Sequence, residues 1–374
     1  MAVSDQPIFM YSLFFFSSLC HSLSVVFYNS YLPILVNKHP EVAEAPTYLR
    51  SIIFDEISNY MSTMGYIAGY VGSVFVSLVA IGFSISVPTE DDLHVRAILC
   101  FGGIWWGAWS IWTFVYLKGY PGKQLQSGEW LLTKGWISTA TTLKHAAACP
   151  QTFKFLVAYF FYSDSYSTIV TVGVLLMRDV MCMKSLQLGI ILVEVMLLAV
   201  VGNASALRIQ RRFKIQPKYM IVGCLSGYMF LCAFSLLGLI RNSPVGLKSV
   251  PEAYLFAAVH GLIIGAVQSY SRTVFCDLVI PGKEAESFAL YEITDKGSSW
   301  LGSFPLSSIF FPLSFFPHSS KLQKSAPHLN VCGGWEGMYV YQGGGGVCMF
   351  INNTHTHTHT HTHTRLYTCI YTSI

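Results

Sequence analysis

The stretch "GAVQSYSRTVFCDLVIPGKEAESFALYEITDKGSSWLG", Gly265–Gly302, changes character twice. It begins inside an apolar run that Gln268, Ser269, Ser271 and Arg272 interrupt. Pro281–Gly282 follows, and then a charged segment holding Glu284, Glu286, Glu292, Asp295 and Lys296. Proline fixes φ and glycine frees it, so this pair reads as a turn between two helices. The second helix carries carboxylates and a lysine on an otherwise apolar frame. Such groups are costly unless water or a partner receives them.

The rest of the chain is apolar in the same way. Hydrophobic residues make up 53% of its 374 residues and charged residues 11%, far below the roughly 25% of soluble domains. Seven stretches approach the ~20 apolar residues that cross a bilayer as a helix. They are Pro7–Val36, Met64–Val87, Ala97–Leu117, Phe153–Met177, Leu186–Leu207, Tyr219–Ile240 and Ala253–Cys276. An eighth, Trp300–Phe316, is short and interrupted by Pro305 and Pro312. Lipid offers no hydrogen bonds, and the runs lack period-two alternation, so helices are expected rather than a barrel. The fold class is an all-α polytopic membrane protein. Glycines four apart (Gly65 and Gly69, Gly103 and Gly107, Gly261 and Gly265) predict close helix contacts.

No run of like charge suggests nucleic-acid binding, and no basic region precedes the first apolar stretch as in a signal peptide. The ten cysteines form no CxxC pair and are expected as thiols. Lys and Arg concentrate in the odd-numbered connections, which predicts those as cytoplasmic. The first span then enters from the opposite side, which leads us to expect further helices before it. The connection 118–152 contains "EWLLTKGWISTATTLKHAAACP". Trp130, Leu131, Leu132, Trp136, Ile137 and Leu143 share an apolar face and Lys134 and Lys144 a polar one, as an interfacial helix would. A solvated linker is the competing reading.

Ionisable residues inside spans are functional candidates. Asp164 lies in "YFFYSDSYSTIV" among Tyr159, Tyr162, Ser163 and Tyr166, where it is suited to a cationic amine or a proton, or to a structural bond. Glu194 in "ILVEVMLL" needs a partner on another helix, in a pathway or in packing. Tyr28 and Asn29, near Pro33, are candidates for lining a pathway, as are Gln268 and Arg272. "GNASALRIQRRF", with Gly202, Arg208, Arg211 and Arg212, closes a span with cations that can latch a conformation, and Asp295 and Lys296 are assigned to the same latch. Asn203-Ala-Ser matches a glycosylation site, but its place at a cytoplasmic helix end argues against modification. No nucleophile–base pair, phosphate loop, cofactor motif or metal motif appears, so an enzyme is not expected.

The opening stretch resembles the signature of the vacuole effluxer family of autophagy-related protein 22, a branch of the major facilitator superfamily. "FYNSYLPIL", "GYIAGYVG", "GGIWWGAWSIWTF" and "KFLVAYFFYSDSYSTI" resemble further family segments in the family's order. Ser165 departs from it, standing where glycine is expected after the aspartate. The resemblance implies a bundle of two six-helix halves with a substrate site between them. It implies efflux of neutral, leucine-like amino acids from the vacuole, across its membrane, during autophagy; protons enter as a partner through the reading of Asp164, and a non-transporting membrane scaffold or receptor of the same fold is the competing reading. It makes the first span here the fourth of the fold, so three helices are missing before it and two after the last. The chain then divides into part of the N-terminal half (1–117), a linker (118–152), part of the C-terminal half (153–302) and a tail (303–374). "GNASALRIQRRF" falls where the superfamily carries its glycine–arginine latch.

In the tail, the family pattern gives way to irregular sequence and to "THTHTHTHTHT". A CA-dinucleotide repeat read in frame encodes this alternation, so the tail is expected to be translated intron or flanking sequence. Alternate histidines on a strand share a face, but nothing nearby would orient them as metal ligands.

Overall fold

A computed structural model describes residues 7–86, 93–119, 130–238, 240 and 245–298, and three segments of the tail, 338–343, 346–353 and 364–370. Its helices are α1 (Pro7–Asn37), a short α2 (Pro40–Ala43), α3 (Thr47–Ser86), α4 (Leu93–Tyr116), α5 (Leu131–Ala148) and α6 (Pro150–Leu175). A π-helical turn, Leu176–Val180, extends α6. Then come α7 (Ser185–Phe213), α8 (Pro217–Leu237), α9 (Val250–Leu278) and α10 (284–298). Seven of them, all but α2, α5 and α10, are long and apolar enough to cross a membrane. They coincide with the seven expected stretches. The eighth stretch, Trp300–Phe316, lies outside the described residues.

One boundary differs greatly from expectation. Helix α3 begins at Thr47, well before Met64, and runs for 40 residues. At 1.5 Å per residue that is about 60 Å, twice the ~30 Å hydrocarbon core. Its first half is too polar to read as a span because its polar side faces protein. Ser58, Asn59, Ser62 and Thr63 are all buried.

Helix α9 is the axis of the bundle, packed by α1, α3, α6, α7 and α8. Its contact with α7 depends on small residues. A Cβ on Gly261 would lie 2.7 Å from the Val195 carbonyl oxygen, and one on Gly265 would lie 2.5 Å from that of Ala199. Gly202 on α7 meets the Leu262 backbone in return. The Gly261–Gly265 expectation therefore holds. Among the described residues the other two pairs do not mark close backbone contacts between helices. Nothing described lies within 4 Å of a Cβ at Gly69, Gly103 or Gly107, and Gly65 faces side chains instead. Helix α4 turns an apolar face outward through Trp106, Trp109, Phe114 and Tyr116, as a lipid-facing helix should.

Helix α5 forms where the interfacial helix is expected. Trp130, Trp136, Ile137 and Leu143 are exposed, while Thr142 and Ala146 are buried. Ser138 donates a hydrogen bond to Glu286, tying α5 to α10. Cys182, in the tight α6–α7 connection, is disulfide-bonded, contrary to the expectation of thiols throughout. The tail contributes strands β1 (Met338–Gly343), β2 (Gly346–Asn353) and β3 (Thr364–Ile370), paired antiparallel in that order. These were not expected of an all-α chain. The histidines of the Thr-His run lie outside the described residues.

Candidate functional site

The polar residues that break the end of α9 converge on one place. Arg272 is only 4% exposed, and its guanidinium is held by both α1 and α3. Nε donates to Ser62 Oγ at 3.0 Å, Nη2 to the Ser62 carbonyl at 2.9 Å, and Nη1 to Asn29 Oδ1 at 3.2 Å. The rings of Tyr66 and Tyr28 lie 4.5 and 5.5 Å from its central carbon, within cation–π range. Gly65 makes this possible, because a Cβ there would meet the Tyr28 hydroxyl at 2.9 Å and an Arg272 Nη at 3.3 Å.

Asn29 carries the network onward. With Oδ1 facing the cation, its Nδ2 donates to Glu292 Oε1 on α10 at 3.1 Å. Glu292, Asp295 and Lys296 share a face of α10, as positions i, i+3 and i+4 must. Asp295 is the best satisfied of them. Tyr159 and Tyr166 of α6 donate to its Oδ1 at 2.9 and 3.0 Å, Ser163 donates to the same oxygen, and Lys296 Nζ lies 2.9 Å from Oδ2. Nearby, Tyr70 donates to Gln268 Oε1 at 2.8 Å, and Ser62 and Thr63 bond to Ser269.

These groups wall a cavity of about 230 Å³, far more than the ~10–15 Å³ needed for a water. Its lining holds Tyr28, Asn29, Gln268, Arg272, Glu292, Asp295 and Lys296, with Val25, Gly65, Tyr66, Gly69 and Val267 as the less polar wall. Two formal positive charges face two negative ones. A net-neutral set of this kind is what a low-dielectric site can hold.

Of the residues expected in a pathway, Tyr28, Asn29, Gln268 and Arg272 are brought together. Asp164 is not among the lining residues. It is half-buried, one position along α6 from Ser163 and about 100° around the helix. Tyr162 is buried behind the wall and donates to Ser271 at 2.7 Å. Glu194 lies half-buried on α7 with a buried Oε2 that has no partner among the described residues, also away from the cavity. The expected latch is divided. Among the described residues Arg211 reaches α3, at 3.9 Å from Glu56 and 5.0 Å from the Tyr60 ring, and Arg208, Arg211 and Arg212 are all exposed. Gly202 serves helix packing. Asp295 and Lys296 face the cavity because α10 turns that side toward α6 and α1. Asn203 is buried, which leaves no access for glycosylation.

Sequence reasoning missed Glu292 and Tyr66 as site residues. The spacing of Tyr159, Ser163 and Tyr166 at i, i+4 and i+7 was the signal for a carboxylate on a neighbouring helix rather than on their own. Among the described residues no three His, Cys, Asp or Glu side chains gather as a metal site would require.

A helical bundle with seven membrane-length apolar helices and charged groups drawn into a buried cavity defines the class as a polytopic membrane protein. The profile of the family "Vacuole effluxer Atg22 like" matches residues 3–310, and the chain belongs to that family. It is 31% identical to Autophagy-related protein 22-1 of Phaeosphaeria nodorum over 75% of this chain and 56% of that protein. It is 28% identical to Autophagy-related protein 22-1 of Penicillium rubens over 76% of this chain and 58% of that protein. Autophagy-related protein 22 of Coccidioides immitis is 30% identical over 66% of this chain and 43% of its own length. The chain thus spans about half the length of these curated relatives. No solved structure matches. Family membership and the seven apolar helices make it a multi-pass protein of the vacuolar membrane.

Proposed function

We propose that this protein is a secondary transporter that moves neutral, leucine-like amino acids from the vacuole to the cytoplasm during autophagy, by alternating access. The observation that carries this reading is the charge-balanced cavity, walled by α1 and α3 on one side and by α6, α9 and α10 on the other. Buried charge inside a membrane bundle is expensive and is retained where a solute or ion passes. Helices from two sides around one central site is the arrangement that rocking carriers use. The relatives' names place them in autophagy, and the family description is that of an effluxer. The pathway runs past Tyr28, Asn29, Gln268 and Arg272, with Asp164 and Glu194 outside it. Protons are the proposed coupling ion, and the Arg211–Glu56 contact is the proposed latch.

Vacuoles from cells lacking the protein should retain preloaded leucine, and re-expression should restore efflux. Arg272→Gln should not restore it. Unchanged efflux on deletion would overturn the proposal, and so would full rescue by Arg272→Gln. Flux that ignores an imposed pH gradient would remove the proton.

A further inference from the structure

The four charges around the cavity are not equally engaged, and the difference indicates how a ligand would sit. Arg272 is the natural first choice to receive a carboxylate. Yet three of its N–H groups are committed to Ser62 and Asn29, and tyrosine rings lie beside the guanidinium. Asp295 is likewise committed, with three hydroxyls on one oxygen and Lys296 on the other. These two residues fasten helices together.

Glu292 and Lys296 differ. Both line the cavity, one turn apart on α10. On a solvated helix a glutamate four residues before a lysine pairs with it directly. Here the two do not pair. Asn29 holds Glu292 by Oε1, and Lys296 leans to its neighbour Asp295. Glu292 is 6% exposed, and its Oε2 accepts no hydrogen bond from a described residue. Lys296 spends one of its three N–H groups on Asp295. A carboxylate oxygen with no described donor and an ammonium with two N–H groups beyond its Asp295 pair thus face one space, held apart by contacts from outside the Glu292–Lys296 pair.

We infer that Glu292 and Lys296 form a zwitterion socket, in which Glu292 receives the α-ammonium group and Lys296 the α-carboxylate of an amino acid, a residue assignment that rests on the transport reading above. A zwitterion adds both charges to the site at once and leaves no net charge buried. A ligand with only one of them would strand its missing counterpart in a low-dielectric cavity. The adjoining wall of Val25, Val267 and Gly69, with nothing described within 4 Å of a Cβ at Gly69, leaves room for an apolar side chain. Selection is therefore for the amino-acid backbone, with loose control of the side chain.

The test is displacement of radiolabelled leucine from the purified protein in lipid nanodiscs. Competitors are leucine, leucinamide (no carboxylate) and N-acetyl-leucine (no ammonium). On the wild-type protein both analogues should compete at least tenfold more weakly than leucine. Glu292→Gln should then weaken leucine and leucinamide but not N-acetyl-leucine. Lys296→Met should weaken leucine and N-acetyl-leucine but not leucinamide. A variant that merely loosens the fold would weaken all three together. Either analogue matching leucine on the wild type overturns the socket, as does uniform weakening in both variants. Failure of leucine itself to bind overturns the transport reading and the socket with it.

Discussion

Replacing glycine by alanine should have opposite effects at Gly265 and Gly69, each the second glycine of a pair spaced four apart. At Gly265 the new Cβ would sit 2.5 Å from the Ala199 carbonyl oxygen and 3.1 Å from Asn203 Nδ2. The first obstacle is backbone, so no rotamer change relieves it. Restoring ordinary contact, about 3.5 Å, requires α9 to draw back from α7 by roughly 1 Å along their longest interface. Overpacking of this kind costs about 1–3 kcal/mol. In lipid the loss is felt fully, because close packing is what holds helices together. At Gly69 the same methyl meets nothing within 4 Å, and a helical alanine is favoured over glycine by roughly 0.5–1 kcal/mol. Thermal unfolding in detergent would measure both. Reaction of a thiol-specific dye with Cys276, buried on α9, is a suitable signal in a background with the exposed cysteines replaced. Gly265→Ala should unfold at a lower temperature than the parent and Gly69→Ala at the same or a higher one. A Gly265→Ala protein as stable as its parent would refute the backbone-contact argument.

Other outcomes follow from the same geometry. Gly69→Leu should preserve the melting temperature yet cut leucine flux in vesicles at least tenfold, since its side chain would occupy the cavity. Arg272→Lys should be far from conservative, because an ammonium cannot reproduce the planar fork to Ser62 and Asn29. A loss of about 3–5 kcal/mol is expected if the buried partners are left unmatched, read by chemical or thermal unfolding. Asp295→Asn should loosen α10 from α6 and speed amide hydrogen exchange in residues 284–298, with each weakened charge-assisted bond costing about 1.5–3 kcal/mol. Trp130 and Trp136, 78% and 76% exposed, should be quenched by lipids brominated near the headgroup. Quenching equal to that of a water-exposed tryptophan would place α5 in solvent.

The helices were legible because the cost of unsatisfied backbone in lipid imposes long apolar runs, and such runs are contiguous in sequence. The site was legible only in part, because its partners are not. Asn29 bonds to Glu292 across 263 positions and to Arg272 across 243. Asp164 drew attention by its hydroxyl-rich surroundings, yet Tyr159, Ser163 and Tyr166 share a face that excludes it. The period of the helix, not adjacency in the chain, decided which carboxylate they serve. The polar first half of α3 was hidden for a related reason. Hydropathy cannot tell a polar surface meant for water from one meant for α7 and α9. Among the described residues, one of the three glycine pairs faces another backbone as a helix contact, and spacing alone does not distinguish it from glycines that make room for a side chain or a cavity.

The attachment of Arg272 sets a tempo. Its hydrogen bonds run from α9 to α1 and α3, and a guanidinium keeps its charge wherever it goes. If the two sides of the bundle part, at least three charge-assisted bonds must be surrendered together, roughly 5–9 kcal/mol when nothing takes their place. Motion on that scale would be rare unless water or a solute stepped in as the old partners left. The same residue that closes the bundle would then act as its brake, and cycling would be governed by how quickly substitutes reach one buried cation.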